Sequence, residues 1–203
     1  MNDTSPIAQR RKAACTAFLQ RVREVHGSGP MTASSLSKIK GLLLDLAARR
    51  ELFPDADFAL PDAQGRSHML DDAANDGYGL YLTVNLPGKE AAPHDHGIWC
   101  LNAGLSGLEE QRFWRRTDDG KKQGFATVEQ IDEAIVTEGT AISMLDHDIH
   151  STLVVGTAPS RCLALYGYAL NRFPEVLFFH PQFSSVRACA SKRGPDRPQA
   201  AQA

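Results

Sequence analysis

Gly88-Lys-Glu-Ala-Ala-Pro93-His94-Asp95-His96 is the stretch that decides how this chain folds. It follows Tyr78 to Leu86, a run of branched and aromatic residues that reads as a strand. Residues two apart on an extended chain share a face, so His94 and His96 project together while Asp95 points away. Two imidazoles converging on one point make a metal site. A third histidine has a similar setting, because Ile149-His150-Ser-Thr-Leu-Val-Val-Gly156 opens another strand. His147 competes for that third position, but its odd offset sends it to the opposite face of a strand and favours His150.

Outward from these motifs the pattern is one of short apolar segments separated by Gly, Asp, Asn and Pro. Ile98 to Leu105, Leu108 to Trp114, Ala141 to Leu145, Thr152 to Val155, Cys162 to Tyr168 and Val176 to Phe179 join Tyr78 to Leu86 as strands. Close spacing with no helical period between them predicts an all-β core, a jelly-roll barrel. Upstream, Ala14, Phe18, Val22 and Val25 recur at helical steps within Ile7 to Val25. A second helix is expected from Ser34 to Arg50, with Leu36, Ile39, Leu42, Leu43 and Leu46 on one face and Thr32 or Ser34 as its cap. The organisation expected is a helical extension over residues 1–54 packing on a barrel over 55–190, then a disordered tail over 191–203.

The 203 residues, 42% of them apolar, are enough for one domain with a proper core. A formal charge of −2, from 22 basic and 24 acidic side chains, offers no footprint for nucleic acid or anionic membrane, so a small molecule is the expected partner. The basic run Arg112 to Arg116 is balanced by nearby acids and reads as a strand ending in an Asp-Gly turn. Met1 to Lys12 is too polar for a signal peptide and no apolar run approaches the ~18 residues of a membrane span, which predicts a cytoplasmic protein. Cys15, Cys100, Cys162 and Cys189 are scattered and form no CxxC pair, so they are expected as free thiols. A monomer or homodimer is expected.

Gly88, five residues, then His94-x-His96 resembles the first motif of the cupins, and the segment around Asp146 to His150 resembles the second. Within that superfamily, PHDHGIW and IHSTLVVG followed by CLALYGYAL are similar to the cysteine dioxygenase-like thiol dioxygenases. The resemblance spans roughly residues 65 to 170. It implies a double-stranded β-helix that binds one Fe(II) through His94, His96 and His150 and oxidises a small thiol with O2 to its sulfinic acid. Many cupins carry a glutamate ligand soon after the HxH pair; Trp99, Cys100 and Leu101 stand there instead. Glu109 and Glu110, further on, are expected to face solvent.

The resemblance also implies roles for other residues. Tyr166 matches a tyrosine that reaches the iron pocket, although Cys162 and Ala164 replace the serine and histidine that precede it. Cys100 aligns with a cysteine that in some members crosslinks to that tyrosine. A carboxylate anchor falls on His68 by position, with Arg66 beside it and Arg172 as a second candidate, since a guanidinium grips a carboxylate by two charged hydrogen bonds. Without an arginine anchor, recognition would fall to the apolar walls around Trp99 and Tyr166. Two other readings of the same residues stay open: a metal-dependent cupin enzyme with a non-thiol substrate, and a non-enzymatic sensor in which the histidines hold zinc.

Overall fold

A helix starts where orphan backbone N–H groups find an acceptor, and both N-terminal helices do so with a hydroxyl. In the computed structural model, which describes residues 5–71, 77–168 and 175–189, α1 (Pro6–His26) begins with the Ser5 side chain accepting from the Ala8 N–H. α2 (Ala33–Ala47) is capped by Thr32, which accepts from the Ser35 N–H, so Thr32 rather than Ser34 is the cap. Cys15, Phe18, Leu19 and Val22 of α1 and Leu36, Ile39, Leu43 and Leu46 of α2 are buried. Each fully buried leucine or phenylalanine there contributes about 1.5–3 kcal/mol relative to exposure.

Eleven strands follow among the described residues: β1 (Gly65–Asp71), β2 (Gly79–Asn85), β3 (Glu90–His94), β4 (Cys100–Ser106), β5 (Leu108–Arg116), β6 (Val128–Val136), β7 (Ala141–Met144), β8 (Ile149–Val155), β9 (Ser160–Tyr166), β10 (Val176–His180) and β11 (Ser185–Cys189). They form two antiparallel sheets, ordered β1-β2-β9-β4-β7 and β11-β10-β3-β8-β5-β6. Because most strands cross to the other sheet from their predecessor, the two sheets wind together as the double-stranded β-helix expected from the sequence. β1, β3, β6 and β11 were not among the expected strands.

The first sheet is buried on both faces. Leu80, Leu82, Val84, Leu101, Ala103, Leu105, Leu163 and Leu165 pack outward in one core with both helices. The alternate residues, Tyr81, Cys100, Cys162, Ala164 and Tyr166, turn inward with Ile142 and Met144 to line the barrel. Such two-sided burial explains why β2, β4 and β9 read as nearly continuous apolar runs. The second sheet closes the barrel, and the two meet closely at Gly104, where an added Cβ would lie 2.1 Å from the Thr137 carbonyl oxygen.

Several surface expectations hold. Arg112, Arg115 and Arg116 pair with Glu110, Glu129 and Asp118 respectively. All four cysteines are free, and Cys15, Cys100 and Cys162 are buried. Among the described residues no helix is long and apolar enough to cross a membrane. The expected tail over 191–203 lies outside the described residues.

Candidate metal centre

His94 ends β3, in register with His150 of β8 on one side and Phe178 of β10 on the other. After His94 the chain leaves the sheet, and Asp95 turns away to β10: its N–H donates to the Leu177 carbonyl at 3.1 Å and its carboxylate accepts from the Leu177 N–H at 2.9 Å. Burial raises the Asp95 pKa above its ordinary value. This clasp leaves His96 turned back toward His94 and His150, with ring centroids 4.8 Å and 5.1 Å away. All three histidines are buried, and their candidate ligand nitrogens lie within 4.8 Å of one another. His147 is exposed in the turn before β8. It is off the strand altogether, so a turn excludes it where strand parity was the expected reason.

Hydrogen bonding fixes which nitrogens face inward. His94 Nδ1 lies 2.8 Å from the Ala92 carbonyl, which only accepts, so Nδ1 carries a proton and Nε2 is the nitrogen left to act as a ligand. His150 Nδ1 lies 2.8 Å from Gln111 Oε1 and donates to it for the same reason. Its Nε2 therefore presents a lone pair 3.0 Å from His96 Nε2. Burial, reinforced by His94 and His96, holds the His150 pKa well below its ordinary value, so this imidazole is neutral. Two nitrogens bound side by side to one ion at ~2.1 Å sit roughly 3.0–3.4 Å apart, so the observed pair has the spacing of ligands. The cluster fits a divalent transition metal held by three imidazoles.

No family model and no curated protein matches the sequence. Solved structures with a similar fold include an oxalate oxidase in complex with the substrate analogue glycolate, at 16% identity over 58% of this chain and 56% of that one, TM-score 0.43. KdgF from Halomonas sp. is similar at 11% identity over 59% and 96% of the chains, TM-score 0.42. A cupin superfamily protein from Desulfitobacterium hafniense is similar at 16% identity over 55% and 84%, TM-score 0.38. The chain spans little more than half of the oxalate oxidase. Likenesses this distant carry no argument about chemistry, which rests on the site itself.

Tyr166 of β9 stands on the barrel-facing side, its ring 5.6 Å from that of His96 and edge-on to Tyr81 at 6.2 Å. Cys100 faces Tyr166 directly across the β4–β9 ladder and is fully buried. Burial pushes its thiol pKa up, so it is a protonated, apolar group. Ala164 lies in the next row of the same wall, opposite Tyr81 and Asn102.

The expected substrate anchors are placed differently. Arg66 and His68 share one face of β1, as parity required, but they pair with Val84 and Leu82, whose side chains belong to the helix-side core. His68 packs edge-on against Phe58 and Arg66 bonds Asp62 at 3.1 Å, so neither joins the histidine cluster. Arg172 lies outside the described residues. Trp99 also turns to the helix side, against His26 and Tyr78, and does not face the barrel interior.

Glu109 and Gln111 were missed. Glu109 is 5% exposed and Gln111 fully buried, contrary to the solvent position expected for Glu109. Glu110, between them, does turn outward to Arg112. The register of β5 on β8 puts Phe113 opposite His150, so Gln111 and Glu109 share the barrel-facing side.

Proposed function

We propose that the protein is an iron-dependent thiol dioxygenase, with one Fe(II) held by His94, His96 and His150. What carries the reading is the donor set: three buried imidazoles, with no carboxylate among the grouped donors of the described residues. Three neutral ligands leave a ferrous ion its full double charge and open positions, which suits an anionic thiolate better than a site already neutralised by glutamate. A ferrous ion there would supply the oxygen chemistry, the transfer of both atoms of O2 to a thiol sulfur to give a sulfinic acid.

The chain's own residues bind, orient and exclude water. Tyr166, whose ring lies 5.6 Å from that of His96, would donate a hydrogen bond to a bound substrate or oxygen. Tyr81, Ile142, Met144 and Cys162 supply an apolar enclosure in which such a bond is strengthened. Asn102, on the same wall, is a polar group for orienting a substrate. A carboxylate-bearing thiol such as 3-mercaptopropionate remains the proposed substrate class, although Arg66 and His68 are not its anchors.

One observation favours a second reading. The wall carries Ala164 where the resemblance expects a histidine, which suits a non-thiol substrate for the same metal centre. Metal analysis of protein expressed without supplements, followed by O2 uptake with 3-mercaptopropionate, cysteine and cysteamine, separates the two. Bound iron with thiol-dependent uptake supports the dioxygenase. Iron without uptake on any thiol overturns it in favour of the second reading, and zinc without turnover overturns both.

A further inference from the structure

Glu109 is a buried carboxylate held by three donors from three strands: Gln111 Nε2 at 2.7 Å, Ser160 Oγ at 2.9 Å and Asn85 Nδ2 at 3.1 Å. The bond from Gln111 has a directional consequence. Both Glu109 oxygens accept from these donors, so the Gln111 amide presents its NH2 group to Glu109 and its oxygen to the other side. On that other side is His150 Nδ1, at 2.8 Å. The oxygen makes Nδ1 the protonated nitrogen and leaves Nε2 bare beside His96. If the amide were reversed, its NH2 would face Nδ1 and favour the tautomer whose Nε2–H cannot ligate a metal.

We infer that Glu109 and Gln111 are positioning residues of the metal centre: a carboxylate absent from the ligand set acts two hydrogen bonds away, setting the His150 tautomer through the Gln111 amide. This rests on the metal-centre part of the reading above and not on the thiol. Outer partners of ligating histidines raise ligand basicity and fix ring orientation, and their loss costs about 10–100-fold in metal affinity. Glu109 and Gln111 sit two apart on one strand, so a single register error in β5 would remove both together.

The alternative is that Glu109 only ties β2, β5 and β9 together, and a metal-binding cycle distinguishes the two. Full-length apoprotein is titrated with Co(II) against a chromophoric chelator in four forms: parent, Gln111→Leu, Glu109→Gln and the double variant. The imidazole N–H signals of the Zn(II)-loaded proteins are recorded by NMR. Gln111→Leu is expected to weaken Co(II) binding about 10–100-fold and to remove the hydrogen-bonded His150 Nδ1–H signal. Glu109→Gln should weaken it less, and should add nothing once Gln111 is leucine, because its effect passes through that amide. Parent affinity in folded Gln111→Leu, or an undiminished Glu109→Gln effect in the double variant, overturns the inference. Should Gln111→Leu fail to fold, Gln111→Asn replaces it, and parent affinity in both Gln111→Asn and Glu109→Gln overturns it equally. A parent that binds no Co(II) overturns the metal centre itself, whereas a parent that binds with unaffected variants overturns this inference alone.

Discussion

His96 and His150, 54 residues apart in the chain, bring their Nε2 atoms to 3.0 Å. The bare His150 Nε2 is satisfied at that distance by a proton on His96 Nε2 or by a cation shared with it, and the proposed ligand set takes the cation. Alanine at position 94, 96 or 150 is therefore expected to empty the site, with a loss exceeding the ~10–100-fold typical of an outer partner. Alanine at position 147, exposed in its turn, should leave metal content unchanged. Metal analysis of the four purified variants checks this, and an empty His147→Ala protein beside a loaded His150→Ala protein would be decisive against the assigned ligand set.

The Tyr166 ring lies 5.6 Å from that of His96, and its proposed role is donation by the hydroxyl. Tyr166→Phe should keep its metal and lower kcat by about tenfold, the size of one hydrogen bond of ~1.4 kcal/mol made mainly in the transition state. KM should move less than kcat. Steady-state O2 uptake with the preferred thiol gives both, and unchanged kinetics would reduce Tyr166 to a packing residue.

At the β5–β6 turn Asp118 gathers Arg116, the Gly120 N–H and the Thr127 N–H, and these hold its carboxyl well below the usual range, the Arg116 bond foremost. A carboxyl whose folded pKa is depressed contributes stability above its unfolded value of ~3.9, and that contribution is lost as pH falls toward the folded value. Asp118→Asn should thus lower Tm at pH 7, and the gap from the parent should close on acidification below about pH 4. Thermal melts across pH 3 to 7 of the apoprotein measure it, and a gap that stays constant would exclude the ionic origin.

Gly104 offers a test of the barrel seam. An alanine Cβ there would collide with the Thr137 backbone, which cannot swing aside as a side chain would. Gly104→Ala should cost at least the ~1–3 kcal/mol of ordinary overpacking, visible as a lower denaturation midpoint. An unchanged midpoint would mean that β4 and the turn after β6 separate easily.

Strands buried on both faces are legible in the sequence because most residues of β2 and β9 enter a core, whether on the helix side or the barrel side. β6 is not, since it is an edge strand in which Glu129, Gln130, Asp132 and Glu133 are exposed and Val128, Ile131 and Ile135 fall at helix-like steps. β3 escaped for a different reason: Glu90-Ala-Ala-Pro-His has little strand propensity and is held in place by β8 and β10. The spacing brings out His94 and His150 as strand residues, but His96 lies past the end of β3 and is turned back by the Asp95 clasp, and Arg66 and His68 share the expected common face on the other side of the sheet. Which side a strand presents is set by its pairing, here Arg66 with Val84, and pairing is a long-range property. Glu109 was sent to solvent because carboxylates are seldom buried, and only the fold reveals the donors from Asn85, Gln111 and Ser160 that make burial tolerable.

The pinning of His94 between His150 and Phe178, whose ring stacks on the imidazole at 5.3 Å, means that the first ligand is in place only after β10 has docked. In the proposed metal centre, occupancy would then depend on assembly, because a chain without β10 lacks one of the two strands that flank His94. Lesions in β10, which offers no candidate ligand, should surface as metal deficiency before they surface as insolubility.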